Sequence, residues 1–303
     1  MRLLSPESAI VAPRSFLIYG EPKAGKTSLA LSVAEAVPTL LIAAEADGWQ
    51  DAYQTLSPKG KENLTVVTPE TRSDLQNIVA TIAELKPRVV VVDSLTEIMN
   101  FFEKSIKSEG GKNVNNGITQ KLSLSAYGDL ATLTIDFVRM LKTTGCHLIF
   151  TAGLDKERIE NDSGSQVRYA PLFTGGKTGV NLPYELRAIA FLQNINGKRQ
   201  LWFESTNSWV AGTNYKVLAD VKMIEDPTFI KIFSLFPRPT AVVEAPKPVK
   251  EKKAKKDVEV TTTSTDVEVL MGTPTDVVVN VAMPVSEPPF LDELTPTGET
   301  VTL

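Results

Sequence analysis

Residues 15–30, SFLIYGEPKAGKTSLA, decide the fold of this chain of 303 residues. The apolar run at 16–19 is typical of a buried strand, and residues 27–36 have the composition of a helix. Between them, GEPKAGKT at 20–27 matches the pattern G-x-x-x-x-G-K-[ST]. In this pattern the loop amides and the helix N-terminus surround the phosphates of a nucleotide. The alternative interpretation, a simple glycine-rich turn between strand and helix, does not explain why a Lys–Thr pair follows the second glycine.

The predicted nucleotide site comprises nine consecutive residues. They are Gly20, Glu21, Pro22, Lys23, Ala24, Gly25, Lys26, Thr27 and Ser28. Lys26 is expected to reach the phosphates, and the hydroxyl of Thr27 is expected to hold Mg²⁺. We therefore predict ATP and Mg²⁺ as the cofactors, although this pattern alone does not separate ATP from GTP.

Two carboxylates follow apolar strands elsewhere in the chain. Asp93 ends the run VVVV and is predicted to hold Mg²⁺ through a bound water, although a strand-ending Asp also caps helices. Residues 20–27 are called the P-loop. Glu45 follows the next predicted strand after the P-loop and its helix, where a carboxylate is placed to orient the attacking water. The alternative for Glu45 is an exposed acid at the end of a strand. Lys26, Glu45 and Asp93 are thus the predicted catalytic residues.

Composition excludes several classes of protein. The net charge of −4 gives no global basic signature, so any nucleic-acid contact must come from a local patch. The single cysteine, Cys146, and the single histidine, His147, exclude an intramolecular disulfide and cannot form a zinc site alone. We expect both to be strand or core residues. No apolar stretch reaches the roughly 18 residues of a membrane span, and we expect a cytoplasmic protein without membrane contact.

The order of elements predicts an α/β fold with a mostly parallel sheet. Apolar strands alternate with amphipathic helices as far as residue 192, and an Asn196-Gly197 turn predicts a hairpin near the C-terminal end of the folded part. Two polar stretches, 108–120 and 155–176, lack a packing pattern and are predicted to be flexible, and 59–63 is predicted to be a polar loop.

Composition changes near residue 237. Residues 237–303 hold nine of the 19 prolines, a lysine cluster at 247–256 and the acidic, apolar segment SEPPFLDEL. Such composition is typical of disorder. We predict an ATP-binding core at 1–236 and a disordered tail at 237–303 that recruits a replication or recombination partner.

These residues resemble the RecA-like ATPases. The resemblance covers about residues 10–205: the P-loop, a strand ending Ala44-Glu45, a strand ending Val92-Asp93-Ser94, the run LIFT and a Thr-Gly-Gly loop. More specifically, the chain is similar to phage-encoded RecA-fold ATPases that anneal or recombine single strands and have a minimal core. The resemblance implies ATP hydrolysis, single-stranded DNA as a partner, a homo-oligomer, and the host cytoplasm as the compartment.

The resemblance also implies which polar stretches bind DNA. The two predicted flexible stretches fall where RecA-like proteins place their DNA-binding loops. The cations that flank them are Lys104, Lys107, Lys112 and Lys121 for the first, and Lys156, Arg158 and Arg168 for the second. One departure is that Thr151-Ala152-Gly153 lacks the glutamine with which the recombinase senses the γ-phosphate, so any coupling to DNA uses another residue.

In RecA-like assemblies a cation from the neighbouring subunit completes the site. The candidates for this trans contact are Lys177, Arg158 and Arg187, with Lys177 favoured because a Gly-Gly loop precedes it; each is otherwise an ordinary surface charge. Trp49 and Tyr53 fall near the expected adenine position, although core packing is the favoured role for both. Two other functions stay open: a nucleotide-switched scaffold with little turnover, and a P-loop kinase of small molecules.

Overall fold

The computed structural model describes residues 12–45, 47–109, 114–115, 121–161 and 164–237. Most of the residues before the first strand, and all of the predicted tail after residue 237, lie outside these ranges. The predicted boundary between core and tail therefore stays a prediction.

The described residues form nine α-helices and thirteen strands. The helices are α1 Lys26–Leu31, α2 Gln50–Gln54, α3 Pro58–Glu62, α4 Arg72–Leu85, α5 Leu95–Glu109, α6 Leu124–Lys142, α7 Gly176–Glu185, α8 Lys216–Val221 and α9 Phe229–Ser234. The strands are β1 Ser15–Gly20, β2 Thr39–Ala43, β3 Leu64–Val67, β4 Val89–Asp93, β5 Val114–Asn115, β6 Lys121–Leu122, β7 His147–Ala152, β8 Leu154–Asn161, β9 Gly164–Pro171, β10 Ala188–Ile195, β11 Lys198–Trp202, β12 Gly212–Thr213 and β13 Met223–Glu225.

Nine of these strands form the central sheet. Its order is β13-β11-β10-β1-β7-β4-β2-β3, with β12 paired to β10. Six neighbouring strands run parallel to one another, namely β10, β1, β7, β4, β2 and β3. At the β10 end of the sheet, β11 and β12 pair antiparallel with β10, and β13 pairs antiparallel with β11. Strand β7 lies between β1 and β4, so it separates the P-loop strand from the strand that ends at Asp93.

Both faces of the sheet are buried, and its inner strands carry apolar residues at most positions. Along β1, Leu17 and Tyr19 pack on one face with α4, α5 and α6. Phe16 and Ile18 pack on the other face with α1, α8 and α9. This double burial explains why the strands read as continuous apolar runs rather than as alternating patterns.

The predicted fold class is confirmed. The sheet is mostly parallel and lies between two helical layers, the P-loop follows one of its inner strands, and the hairpin β10–β11 turns at residues 196–197. The disordered tail included in that prediction lies outside the described residues.

The prediction of a flexible stretch over 155–176 is wrong. Strands β8 and β9 form a two-stranded antiparallel hairpin of eight residue pairs, and α7 begins at Gly176. The stretch appears unpatterned in sequence because both faces of this hairpin carry polar side chains, so alternation between apolar and polar residues is missing.

Two smaller predictions differ from the structure. Residues 58–62 form helix α3, capped by the Ser57 side chain, which accepts from the amide of Gly60 at 3.1 Å. Most of the predicted mobile stretch 108–120 lies outside the described residues, but its described part includes the end of α5 and β5, which pairs with β6. No helix in the described ranges is long and apolar enough to cross a membrane.

Cys146 and His147 take structural positions, as predicted. Cys146 is buried, and His147 begins β7, where its Nδ1 accepts a hydrogen bond from the amide of Arg14 at 2.9 Å. Burial, together with the charges of Arg14 and Arg88, lowers the pKa of His147 to about 4. The imidazole is therefore neutral near pH 7 and acts as an acceptor for the chain entering β1.

Gly20 at the end of β1 lies against the backbone of β10. A methyl group at this position would lie 2.2 Å from the carbonyl oxygen of Leu192, a distance that requires the two strands to separate. We expect Gly20→Ala to lower the free energy of unfolding by about 1–3 kcal/mol, the usual cost of overpacking. Denaturant titration of the full chain measures this.

The matched control is Gly179→Ala in α7. A methyl group there meets no atom within 4 Å. Because alanine has a higher helix propensity than glycine, the free energy of unfolding should rise by about 0.5–1 kcal/mol. Equal stabilities for the two variants would contradict a tight contact between β1 and β10.

Candidate functional site

The carboxyl ends of β1, β2 and β4 meet at one edge of the sheet, because these strands are parallel. A cavity of about 560 Å³ opens there, and its walls include Lys26, Thr27, Glu45 and Asp93. Residues that are distant in sequence thus share one space, on the same side of the sheet edge as the P-loop.

The P-loop curls back on itself at this edge. Gly25 has a φ of 89°, in the left-handed region that favours glycine. The amino group of Lys26 donates to the carbonyl oxygens of Gly20 at 3.1 Å and Glu21 at 2.9 Å, which holds it over the loop. Burial lowers the pKa of Lys26, while the charges of Asp93 and Glu45 oppose that shift. A bound anion would add further stabilisation to the ammonium form.

Asp93 is held by two hydroxyl groups. Thr27 Oγ1 donates to its Oδ2 at 2.7 Å, and Thr151 Oγ1 donates to its Oδ1. The carboxylate is only 4% exposed, so these two donors replace the water it would otherwise bind. Because the Thr27 hydroxyl donates its hydrogen bond to Asp93, the lone pairs of the Thr27 oxygen remain available to bind a cation.

Glu45 lies in the same cavity but on the solvent side. Ser94 Oγ donates to Glu45 Oε1 at 3.0 Å, so one carboxylate oxygen is held by the residue that follows Asp93. The other oxygen, Oε2, lies 3.0 Å from the position of a methyl group added to Gly48, which shows how closely the backbone approaches it. Glu45 is therefore oriented by the Asp93-Ser94 segment, and its second oxygen is available to accept a proton.

The nine predicted P-loop residues divide into two groups. Six of them line the cavity: Pro22, Lys23, Gly25, Lys26, Thr27 and Ser28. Gly20 and Glu21 contribute the carbonyl oxygens that hold Lys26, and Ala24 lines a neighbouring cavity of about 240 Å³ with Glu21.

The donor set fits a nucleotide with Mg²⁺. The cavity holds a lysine over a curled loop, and the paired oxygens of Thr27 and Asp93 are the hard ligands that Mg²⁺ prefers. When bound, Mg²⁺ neutralises the charge that develops on phosphate oxygens. Lys26 would stabilise the same oxygens, and Glu45 is the group available to take a proton from water.

Sequence reasoning missed several residues of the site. Thr151 was noticed only for lacking an amide, yet it is fully buried and bonds to Asp93. Ser94 orients Glu45, and Thr96 Oγ1 accepts from the amide of Gly153 at 3.0 Å and donates to the carbonyl of Leu172 at 3.2 Å. The only sequence signal was a polar residue inside or just after an apolar strand.

Neither aromatic residue considered for adenine lines the cavity. Trp49 packs against the buried cluster around α1, and its ring meets that of Tyr53 edge to face with centroids 6.0 Å apart. Lys61 Nζ lies 5.2 Å from the centroid of the Tyr53 ring. Core packing thus accounts for Trp49, while Asp51 and Ala52 from the same helix line the cavity instead.

The candidates for a trans contact lie away from the cavity of their own subunit. Lys177 lies at the start of α7 and lines a separate cavity of about 480 Å³ with Tyr127 and Leu124. Arg158 is exposed on the β8–β9 hairpin. The guanidinium carbon of Arg187 lies 4.6 Å from the centroid of the Tyr215 ring. Arg187 immediately precedes β10, so it lies at the opposite edge of the sheet from the P-loop.

The predicted DNA-contacting cations are distributed unevenly. Lys107 pairs with Glu103 at 2.7 Å, whereas Lys104 is exposed. Lys112 and the side chain of Lys121 lie outside the described residues. On the β8–β9 hairpin, Lys156 and Arg158 are exposed and Arg168 is half-buried.

A family model described as an AAA domain matches residues 12–215 of the chain. The chain belongs to this family of AAA domains. Among solved structures, the AAA domain is similar to a KaiC-like protein from the hyperthermophilic archaeon Pyrococcus horikoshii OT3, with 14% sequence identity and a TM-score of 0.41. That match covers 68% of this chain and 83% of the archaeal one. No curated protein sequence matches the chain.

Family membership agrees with the coarser part of the sequence resemblance. The matched region begins just before β1 and ends at Tyr215, so it contains the P-loop, both carboxylates and the β8–β9 hairpin. The chain is thus a P-loop protein of the AAA family, and P-loop proteins of this kind generally bind ATP with Mg²⁺.

Lys26→Ala should weaken nucleotide binding without unfolding the AAA domain. Loss of a charge-assisted contact predicts an affinity for ATP that is about tenfold to a hundredfold lower. Calorimetric titration with a non-hydrolysable ATP analogue measures the affinity, and thermal melting of the unliganded protein checks the fold. Lys59→Ala, at an exposed position on α3, is the control and should bind like the wild type. Wild-type affinity in Lys26→Ala would exclude the P-loop as the nucleotide site.

Proposed function

We propose that this chain hydrolyses ATP with Mg²⁺ and acts on single-stranded DNA as a phage-type annealing, recombination or replication ATPase. The observation that carries the proposal is the convergence of Lys26, Thr27, Glu45 and Asp93 on one cavity. The roots of the β8–β9 hairpin also line this cavity, at Gly153 and Leu172. A ligand on the hairpin would therefore act on the wall of the nucleotide site.

Hydrolysis needs a base placed near the terminal phosphate. Glu45 suits this role because one of its oxygens is held by Ser94 and the residue lines the cavity. Asp93 is buried and satisfied by two hydroxyls, so it suits the metal rather than water activation. The two carboxylates thus have different surroundings and different proposed tasks.

The β8–β9 hairpin is the proposed DNA-contacting element. Lys156 lies opposite Tyr169 and Arg158 lies opposite Val167, and these four side chains share one face because directly opposed residues in an antiparallel pair do so. Lys156 Nζ lies 5.8 Å from the centroid of the Tyr169 ring. The Tyr169 ring itself stacks on Phe191 with centroids 5.9 Å apart, so the two exposed cations are the groups suited to the phosphates of a single-stranded backbone.

The half-buried Arg168 is less suited to DNA. It lies opposite Glu157 on the other face of the hairpin. Arg168 directly precedes Tyr169, whose carbonyl oxygen accepts a hydrogen bond from the Tyr19 hydroxyl at 3.2 Å, so it lies near the end of β1. Arg168 is thus better placed to fix the hairpin to the sheet.

Thr96 supports a connection between hairpin and nucleotide. It bonds to Gly153 and Leu172, the residues flanking the hairpin, and it lies three residues after Asp93. This contact is a candidate for the coupling role that an amide side chain plays in the recombinase.

A homo-oligomer is part of the proposal. Lys177 does not line the nucleotide cavity of its own subunit, so a phosphate contact by this residue requires a neighbouring copy. A cytoplasmic location and recruitment of a replication or recombination partner by residues 237–303 complete the proposed function.

The carboxylate of Glu45 provides the test of hydrolysis. We expect Glu45→Gln to retain ATP affinity and to lower kcat by about 10²–10⁴-fold, the usual contribution of a general base. Phosphate release is measured with and without single-stranded DNA, beside light scattering for the size of the complex. Glu84→Gln, at an exposed carboxylate on α4, is the control and should keep the wild-type rate.

Three outcomes separate the alternatives. Background turnover that Glu45→Gln leaves unchanged, with ATP still bound, would favour a nucleotide-switched scaffold. Transfer of phosphate to added nucleosides or nucleotides would favour a kinase. Absence of any mobility shift with single-stranded DNA at low salt, with or without ATP, would overturn the DNA part of the proposal.

The hairpin cations make the DNA proposal specific. For single strands, each phosphate contact contributes about −0.7 to the slope of log K against log[salt]. The double variant Lys156→Ala, Arg158→Ala should therefore have a slope that is smaller in magnitude by about 1.4. Fluorescence anisotropy with a labelled oligothymidylate at several salt concentrations measures the slope. Lys59→Ala with Lys216→Ala removes two exposed cations from α3 and α8 and should leave it unchanged. Equal slopes for the two double variants would exclude the hairpin as the contact.

A further inference from the structure

We propose that Arg199, a residue of the C-terminal hairpin, binds the α-phosphate of the nucleotide held by its own P-loop. This inference rests on the proposed function, because it assigns a further binding residue to the same site. Arg199 lies outside the P-loop motif and 106 positions after Asp93, so nothing in the local sequence marks it.

The first argument is contact with the P-loop. A methyl group added to Gly25 would lie 3.3 Å from Cδ and 3.5 Å from Nη1 of Arg199. Arg199 does not itself line the cavity of about 560 Å³, but its side chain runs along the P-loop at Gly25, which does. The small size of Gly25 is what allows the guanidinium to come this close.

The second argument is the lack of another partner. Arg199 is half-buried, and no described acidic side chain forms an ion pair with its guanidinium. The nearby Asp226 instead binds the Arg199 backbone: its Oδ1 accepts from the Arg199 amide at 3.3 Å, and its own amide donates to the Arg199 carbonyl at 2.8 Å. Asp226 thus fixes the strand and leaves the guanidinium charge for an anion.

The third argument is position relative to the two acids. In the sheet order, β4 and β2 carry Asp93 and Glu45 on one side of β1, and β11 carries Arg199 on the other side. The acids mark the end of the cavity where the terminal phosphate and the metal belong. Arg199 therefore flanks the opposite end of the polyphosphate, where the α-phosphate joins the nucleoside.

The chemistry suits an arginine. A guanidinium binds phosphate oxygens with two parallel donors and stays charged when partly buried. A contact at the α-phosphate is present in ATP and ADP alike, so it contributes uniform binding rather than stabilisation of the transition state. Arg199 is thus expected to set nucleotide affinity without changing kcat.

The test compares ADP with a non-hydrolysable ATP analogue. In full-length Arg199→Ala, calorimetric titration should show both affinities lowered by the same factor, about tenfold to a hundredfold. At saturating ATP, kcat should stay at the wild-type value. Arg199→Lys should recover part of the affinity because it keeps the charge and loses the planar fork. Arg199→Gln keeps most of the aliphatic stem and replaces Arg199→Ala if that variant melts early.

The matched control is Lys198→Ala. Lys198 is the neighbouring cation in β11, and it pairs with Glu225 at 3.1 Å on the surface. Its removal should leave both nucleotide affinities unchanged, which separates a local contact from a general loss of positive charge.

Each other result overturns the inference in a recognisable way. Unchanged affinities in Arg199→Ala, while Lys26→Ala loses binding, would leave the proposed function intact and assign Arg199 a packing role. Weaker binding of the ATP analogue alone, or a lower kcat, would place Arg199 at the terminal phosphate. A loss that differs between adenine and guanine diphosphates would indicate a base contact. Absence of nucleotide binding by the wild type would instead exclude the proposed function.

Discussion

The buried carboxylate of Asp93 is the interaction on which the site depends. It accepts hydrogen bonds from Thr27 at the start of α1 and from Thr151 on β7, and thereby links three neighbouring elements of the sheet edge. A buried carboxylate without donors would be costly, so the two hydroxyls are a condition of its burial. Because β7 lies between β1 and β4, Thr151 is positioned to supply one of them.

The same edge connects the nucleotide cavity to the β8–β9 hairpin. β7 ends at Ala152, Gly153 follows, and Leu172 returns the chain from the hairpin, so the hairpin leaves the sheet directly beside Asp93. Thr96 binds both residues through its hydroxyl group. A shift of this turn on nucleotide binding would move the base of the hairpin, which gives the proposed ATPase a short physical route between its two ligands.

The opposite flank of the P-loop is built by the C-terminal hairpin. The close approach of Gly20 to β10 brings β10 and β11 next to the loop, and the small residue at Gly25 leaves space for the Arg199 side chain. The P-loop is thus enclosed by acids on one side and by an arginine on the other. In the proposed complex, this polarity would orient the nucleotide along the sheet edge, with its terminal phosphate toward Glu45.

The sequence by itself determined the P-loop, the parallel strands and the two acids. A phosphate-binding loop is a local structure, and strands buried on both faces leave continuous apolar runs that are visible without a partner. The β8–β9 hairpin was not predictable in this way, because its pairing joins two polar segments and gives no periodic signal. Thr151, Ser94 and Arg199 were decided only by the tertiary structure. Their roles depend on which strands become neighbours and how closely backbones approach at Gly20 and Gly25, and strand order is a property of the whole sheet rather than of any one segment.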